Sequence, residues 1–189
     1  MRGLVLASAS PRRRELLASL GLEFEVEPAD VDETVRPGED PAELVARLAA
    51  AKAEVVGARR PGDLVLAADT TVVVDGEVIN KPPTPADNAA YLRRLSGTVH
   101  DVYTGHALRL AGRREDVVVR TRVRFRRLSD REVAWYVASG EGVDKAGGYA
   151  IQGRGAALVA GIEGCYTNVV GLSLPAVVEA ARRLGAPLV

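Results

Sequence analysis

Four helix starts are written into the chain as local chemistry. Ser10-Pro11, Asp40-Pro41 and Thr84-Pro85 each set a capping side chain before a proline at the first helical position, and Ser129 with Glu132 makes a capping box. Between these starts lie runs of strand length, at 4–7, 23–27, 64–68, 71–79, 99–110 and 117–125. Segments of period 3.6 that alternate with apolar or two-residue-alternating runs require helices layered on a sheet. The expected fold class is therefore mixed α/β. The 189 residues suffice for a real core, and without a repeat, a low-complexity tract or a long linker they are expected to form a single domain over 1–189.

The first helix stops at Gly21. The second, capped by Asp40 with Glu43 behind it, runs to about residue 58 and gathers Leu44, Val45, Leu48, Ala49, Val55 and Val56 on one side. Asp75-Gly76 is a two-residue turn signal, so 71–79 is expected to be a hairpin. The third and fourth helices end at Ser96-Gly97 and near Ser139-Gly140. A glycine-rich segment, 142–155, reads as a flexible loop or lid. Two short strands and a C-terminal helix over 175–184 complete the expectation.

Charge excludes some functions. With 25 basic and 25 acidic residues the net charge is zero, which gives no general attraction to nucleic-acid polymers or membrane surfaces. Any bound anion must be gripped locally. A lone Cys165 rules out an intramolecular disulfide and suits a reducing cytoplasm. The apolar run near the start is too short for a signal peptide, and no stretch approaches the roughly 18 residues of a membrane span. A soluble, cytoplasmic protein is expected. The basic residues are 22 Arg and only three Lys, at 52, 81 and 145.

Several of these charges sit where they need an explanation. Arg12, Arg13 and Arg14 fall in the first turn of a helix, where cations oppose the dipole by up to about 1 kcal/mol each. A phosphate held by the helix start, with Ser8 and Ser10 as further donors, would compensate; a solvated arginine face is the alternative. Lys52 lies within the apolar side of the second helix, from which it either snorkels to the rim or points into a cleft. Asp69 ends a buried strand, and the hairpin register carries Thr70 opposite Lys81. That sets a carboxylate, a hydroxyl and an ammonium in one patch, which is either a plain salt bridge or a site for metal-assisted phosphate chemistry. Gln152 offers an amide able to pair with a base edge. The alternating Arg120, Arg122, Arg124 and Arg126 read as a solvated strand face, and His100 and His106 as structural.

Taken in order, these blocks resemble the Maf-like nucleoside triphosphate pyrophosphatases, once described as septum-formation inhibitors. The resemblance runs along nearly the whole chain. It is carried by 6–13 (LASASPRR), Asp32-Glu33-Thr34, Ala51-Lys52-Ala53, Ala68-Asp69-Thr70 with Lys81-Pro82, 95–105, 144–153 (DKAGGYAIQG) and Val169-Val170-Gly171-Leu172. It implies a mixed twisted sheet flanked by helices, with two lobes around a deep cleft as in inosine triphosphate pyrophosphatases. It implies hydrolysis of a nucleoside triphosphate to the monophosphate and pyrophosphate with a divalent metal, Mg²⁺ or Mn²⁺, and a homodimer. By the same resemblance Asp69, Glu33, Lys52 and Lys81 are catalytic, with Asp69 and Glu33 on the metal. Ser8, Arg12, Arg13, Thr70 and Gln152 bind substrate. Arg12, Thr70 and Gln152 match the dTTP/UTP branch, where a Gln amide suits the O4/N3–H edge of a pyrimidine. The competing expectations are another base preference, for 7-methyl-GTP or ITP, and a regulatory binding protein of cell division.

Overall fold

The alternating side chains of two parallel strands organise the structure, a computed structural model that describes residues 3–189. Met1 and Arg2, which precede the apolar run considered above, lie outside the described residues. Strand β1 (Leu4–Leu6) pairs in parallel with β2 (Glu25–Val26) and with β3 (Leu64–Val74), Leu6 standing opposite Leu66. Leu4, Leu6, Leu64, Leu66 and Ala68 face one layer, with Leu17 of helix α1 (Pro11–Ala18) and Val177, Ala180 and Ala181 of the last helix. Val5, Ala7, Val65 and Ala67 face the other, against Ala49, Ala53 and Val56 of α2 (Pro41–Arg59). A period of two thus sends successive residues to opposite apolar layers.

Seven strands form one mixed sheet in the order β2-β1-β3-β5-β6-β7, with β4 (Glu77–Ile79) hydrogen-bonded to β3. The long strands β5 (Val99–Leu110) and β6 (Arg113–Phe125) follow α3 (Pro85–Leu95). Then come α4 (Asp130–Val137), two 3-10 turns at Ala146–Gly148 and Gly153–Leu158, β7 (Val159–Glu163), α5 (Tyr166–Val170) and α6 (Leu174–Arg183). The chain divides into two compact units. The first comprises the described chain up to Asp69 with Thr104–Val119 and Gly171–Val189, the second Thr70–Tyr103 with Arg120–Val170.

The caps work as their chemistry predicts. Ser10 accepts from Arg13 N–H, Asp40 from Ala42 and Glu43, Thr84 from Asp87, and the Ser129/Glu132 box is complete. The Asp75-Gly76 turn has both residues at positive φ, 52° and 78°, and Val74 pairs with Glu77. Four expectations are corrected. Residues 64–74 form one continuous strand, since no breaker separates Ala68 from Thr71. The ladder to β4 ends at Val72–Ile79, short of Thr70 and Lys81, because Pro82-Pro83 leave no donor to extend it. The strand expected over 23–27 is cut to Glu25–Val26. One strand, not two, follows the glycine-rich segment, and 166–170 is helical.

That segment is also packed rather than lid-like. Gly147, Gly148 and Gly155 are buried. A Cβ on Gly142 would stand 2.1 Å from the Gly148 oxygen, and one on Gly155 1.8 Å from the Ala150 oxygen. The glycines therefore serve close backbone approach.

Candidate active site

Alternation along β3 decides where Asp69 points. Val65 and Ala67 face α2, so Asp69, next in that series, faces it too. Lys52 lies on the same side of the helix, eight per cent exposed. Its Nζ donates to Asp69 Oδ1 at 2.7 Å and to Glu33 Oε1 at 2.5 Å. The lysine does not snorkel; it neutralises two carboxylates whose bonded oxygens are about 5 Å apart at most, since both touch one nitrogen. Asp69 is largely covered, whereas 56% of the Glu33 side chain is exposed.

Glu33 comes from irregular chain that its neighbours hold in place. Asp32 Oδ1 accepts from Thr34 N at 2.9 Å and from Thr34 Oγ1 at 2.6 Å. Those two bonds, the side-chain one foremost, hold the Asp32 carboxyl below its ordinary range. Arg47 of α2 donates to Thr34 O at 3.1 Å and, through Nε, to Glu39 Oε1 at 2.5 Å, and the bond to Glu39 holds that carboxyl near 2.

The start of α1 contributes cationic groups to the same unit. Ser8 is buried two residues beyond β1, at the carboxyl edge of the parallel strands where α/β proteins collect ligands. Its Oγ accepts from Ser10 N at 3.3 Å and from Arg13 Nη1 at 3.2 Å. Arg13 Nε donates to Gly171 O at 2.8 Å. Burial lowers the Arg13 pKa, Asp69 and Glu33 pull it upward, and Arg12 reinforces the lowering. Arg13 is therefore in electrostatic reach of the carboxylate pair. No acidic residue sits in the first turn of α1. Ser8, Arg13, Glu33, Lys52 and Asp69 are thus brought together within one unit, with Arg12 half-buried beside them.

Thr70, Lys81 and Gln152 belong to the other unit. Thr70 follows Asp69 and is half-buried, Lys81 is exposed beyond β4, and Gln152 precedes the second 3-10 turn in extended conformation, half-buried. The Asp69 carboxylate takes Lys52 as its cation. Lys145 pairs with Asp144 at 2.5 Å. Arg120 and Arg122 are exposed and paired with Asp101 and Glu163, as a solvated face requires.

Among the described residues, no group of three or more His, Cys, Asp or Glu side chains is arranged to hold a metal ion. The Glu33–Asp69 pair nevertheless fits a hard divalent cation of the kind that takes one or two protein carboxylates and completes its shell from substrate phosphates and water. Both histidines are buried. His100 Nε2 lies 2.7 Å from the Tyr149 hydroxyl, and burial pushes both rings down to about 4. No helix is long and apolar enough to cross a membrane among the described residues.

A mixed sheet with charged groups at the carboxyl ends of its parallel strands places the chain in the class of α/β proteins built to hold anionic ligands at that edge. The chain belongs to the Maf-like protein family, whose model matches residues 3–184. Among curated relatives it is 58% identical to a dTTP/UTP pyrophosphatase of Myxococcus xanthus, over 98% of this chain and 94% of that protein. It is 54% identical to one of Anaeromyxobacter dehalogenans, over 98% and 95%, and 55% identical to one of Moorella thermoacetica, over 95% and 93%. A solved structure of a HAM1 protein from Coxiella burnetii is 19% identical with a TM-score of 0.46, covering 68% of this chain and 75% of that one.

Proposed function

We propose that this protein hydrolyses dTTP and UTP to the nucleoside monophosphate and pyrophosphate. The observation that carries the reading is Lys52, buried on an apolar helix face and shared between Asp69 and Glu33, in a chain more than half identical to dTTP/UTP pyrophosphatases. Water adds to phosphorus as the anhydride bond between the α- and β-phosphates breaks. Asp69 takes the proton of the attacking water. Lys52, released from the carboxylates it holds, neutralises charge on the phosphate oxygens. Ser8, Arg12 and Arg13 hold the polyphosphate, with Lys81 assigned to phosphate and Thr70 and Gln152 to the base on the family pattern. Asp69 and Glu33 are the oxygen donors for a divalent cation, Mg²⁺ or Mn²⁺, which when bound supplies further charge neutralisation. The single cysteine of the sequence suits a reducing, cytoplasmic setting, and the homodimer implied by the resemblance is checked by sedimentation.

Asp69→Asn tests the mechanism. The variant is expected to keep its fold and lose pyrophosphate release; unchanged turnover overturns the assignment. Comparing kcat/KM for dTTP, UTP, CTP, 7-methyl-GTP and ITP tests the substrate, and preference for either of the last two overturns it.

A further inference from the structure

His106 is one of two almost fully buried histidines, one per cent exposed, on the face of β5 opposite α2. Its ring partners are both backbone groups, so its proton can be placed. Ser173 N–H donates to Nε2 at 2.8 Å, which requires Nε2 to be an unprotonated acceptor. Nδ1 therefore carries the hydrogen and donates to Val117 O at 3.2 Å. The imidazole is neutral and locked in one tautomer, tying β5 and β6 to the turn before α6.

That turn has a second duty. Gly171, two residues before Ser173, supplies the carbonyl that receives Arg13 Nε, and Arg13 Nη1 in turn reaches Ser8. Gly171 sits at φ 126°, a conformation that side chains rarely adopt, so the orientation of its carbonyl depends on the groups that hold the turn. We propose that His106 is a positioning residue for the phosphate site: by accepting from Ser173 N–H it fixes the 171–173 turn, which fixes Arg13 against Ser8. The proposal rests on the reading of Arg13 as a phosphate ligand. Burial and the positive charge of Arg13 both act to keep the ring neutral, as the acceptor role requires.

The test compares His106→Gln, whose amide oxygen can stand where Nε2 stood, with His106→Leu, which keeps bulk and removes the acceptor. KM for dTTP and Ki for pyrophosphate are expected to rise on the order of tenfold to hundredfold in the Leu variant and to change little in the Gln variant, since misplacing a binding group by about 1 Å costs on that scale. In an Arg13→Ala background, His106→Leu is expected to add no further loss in KM or Ki, because its effect passes through the missing side chain. Additive losses overturn the proposal while leaving Arg13 as a ligand. An Arg13→Ala variant with normal KM and Ki overturns the reading of Arg13 and the relay with it. Nitrogen-15 NMR of the histidines in the unmodified protein gives an answer independent of how the variants fold. A protonated Nδ1 and a bare Nε2 are expected for His106, and the opposite tautomer refutes the relay.

Discussion

Gly105 of β5 packs directly against the backbone of α2, so replacing it by alanine should disturb stability and catalysis together. A Cβ there would stand 2.2 Å from Val45 O, 2.5 Å from Val45 C and 2.9 Å from Ala46 N, all backbone atoms of α2. Restoring an ordinary contact of about 3.5 Å requires the helix to retreat by roughly 1 Å. Overpacking costs about 1–3 kcal/mol, and rigid backbone puts this site near the upper end. In a chain of this size that corresponds to a fall in Tm of about 6–12 °C. Lys52 lies two helical turns beyond Val45 on the same face, so a retreat of about 1 Å also lowers dTTP turnover by about 100-fold. Thermal melts and pyrophosphate release measure the two effects. Gly57→Ala is the control. Its Cβ meets the Arg109 side chain at ordinary contact distance, Cβ at 3.6 Å and Cγ at 3.9 Å, and alanine inside a helix gains about 0.5–1 kcal/mol, so this variant should be as stable as the parent or more so. A Gly105→Ala protein with unchanged Tm and turnover refutes the inference that α2 is held by this contact.

Lys52→Met should lower stability and activity together: exposed Glu33 can swing away, but largely covered Asp69 is left without its cation, at a cost of about 3 kcal/mol, read as a lower urea midpoint. Turnover falls by about 10²- to 10³-fold on loss of a charged contact in the transition state; a fall under fivefold refutes the role. His100 and His106, held neutral by burial down to about 4 against an ordinary 6.5, bind protons more readily when unfolded, so their contribution to stability is complete above pH 6.5 and is lost as pH falls toward 4. Urea midpoints should drop between pH 6.5 and 4.5 by the equivalent of about 2 kcal/mol per histidine, and a non-titrating side chain at either position should remove its share. Glu39 and Glu132, held near 2, lose their contribution only below that window, and a flat midpoint across it contradicts the burial argument. Ala111 at φ 48° in the β5–β6 turn is strained, so Ala111→Asn should raise stability by about 0.5–1 kcal/mol, read as a higher urea midpoint.

Much of the fold was legible because its signals are local. The caps at Ser10, Asp40, Thr84 and Ser129 act within one helical turn, and Asp75-Gly76 sets a register by itself. Where one residue carries two meanings, the reading failed. Ala111-Gly112 forms the same type of turn as Asp75-Gly76, but alanine gives no sign that it will take a positive φ. Glycines at 142–155 look flexible, yet the same missing Cβ admits Asn88, whose Nδ2 donates to Gly148 O at 2.6 Å. The Thr167-Asn168-Val169-Val170 run has the composition of a strand and folds as a helix. In the site, period 3.6 placed Lys52 on the apolar face without settling whether it turns outward. Its partners are 19 and 17 residues away, and only the parallel β1–β3 pairing brings Asp69 to α2. Glu33 sits in chain with no period at all, so only its family pattern marked it. His106 carried no functional signal, since its role depends on a backbone turn 67 residues later.

The unequal shelter of the three lysines makes the protein a chemical reporter of itself. An amine-acylating reagent meets an open ε-amino group at Lys81, a mostly covered one at Lys145, where 16% of the side chain is exposed, and a closed one at Lys52, where 10% is exposed. Labelling read one lysine at a time, with and without nucleotide, would register occupancy against a silent background, because the other 22 cationic side chains are guanidinium groups that such reagents pass over.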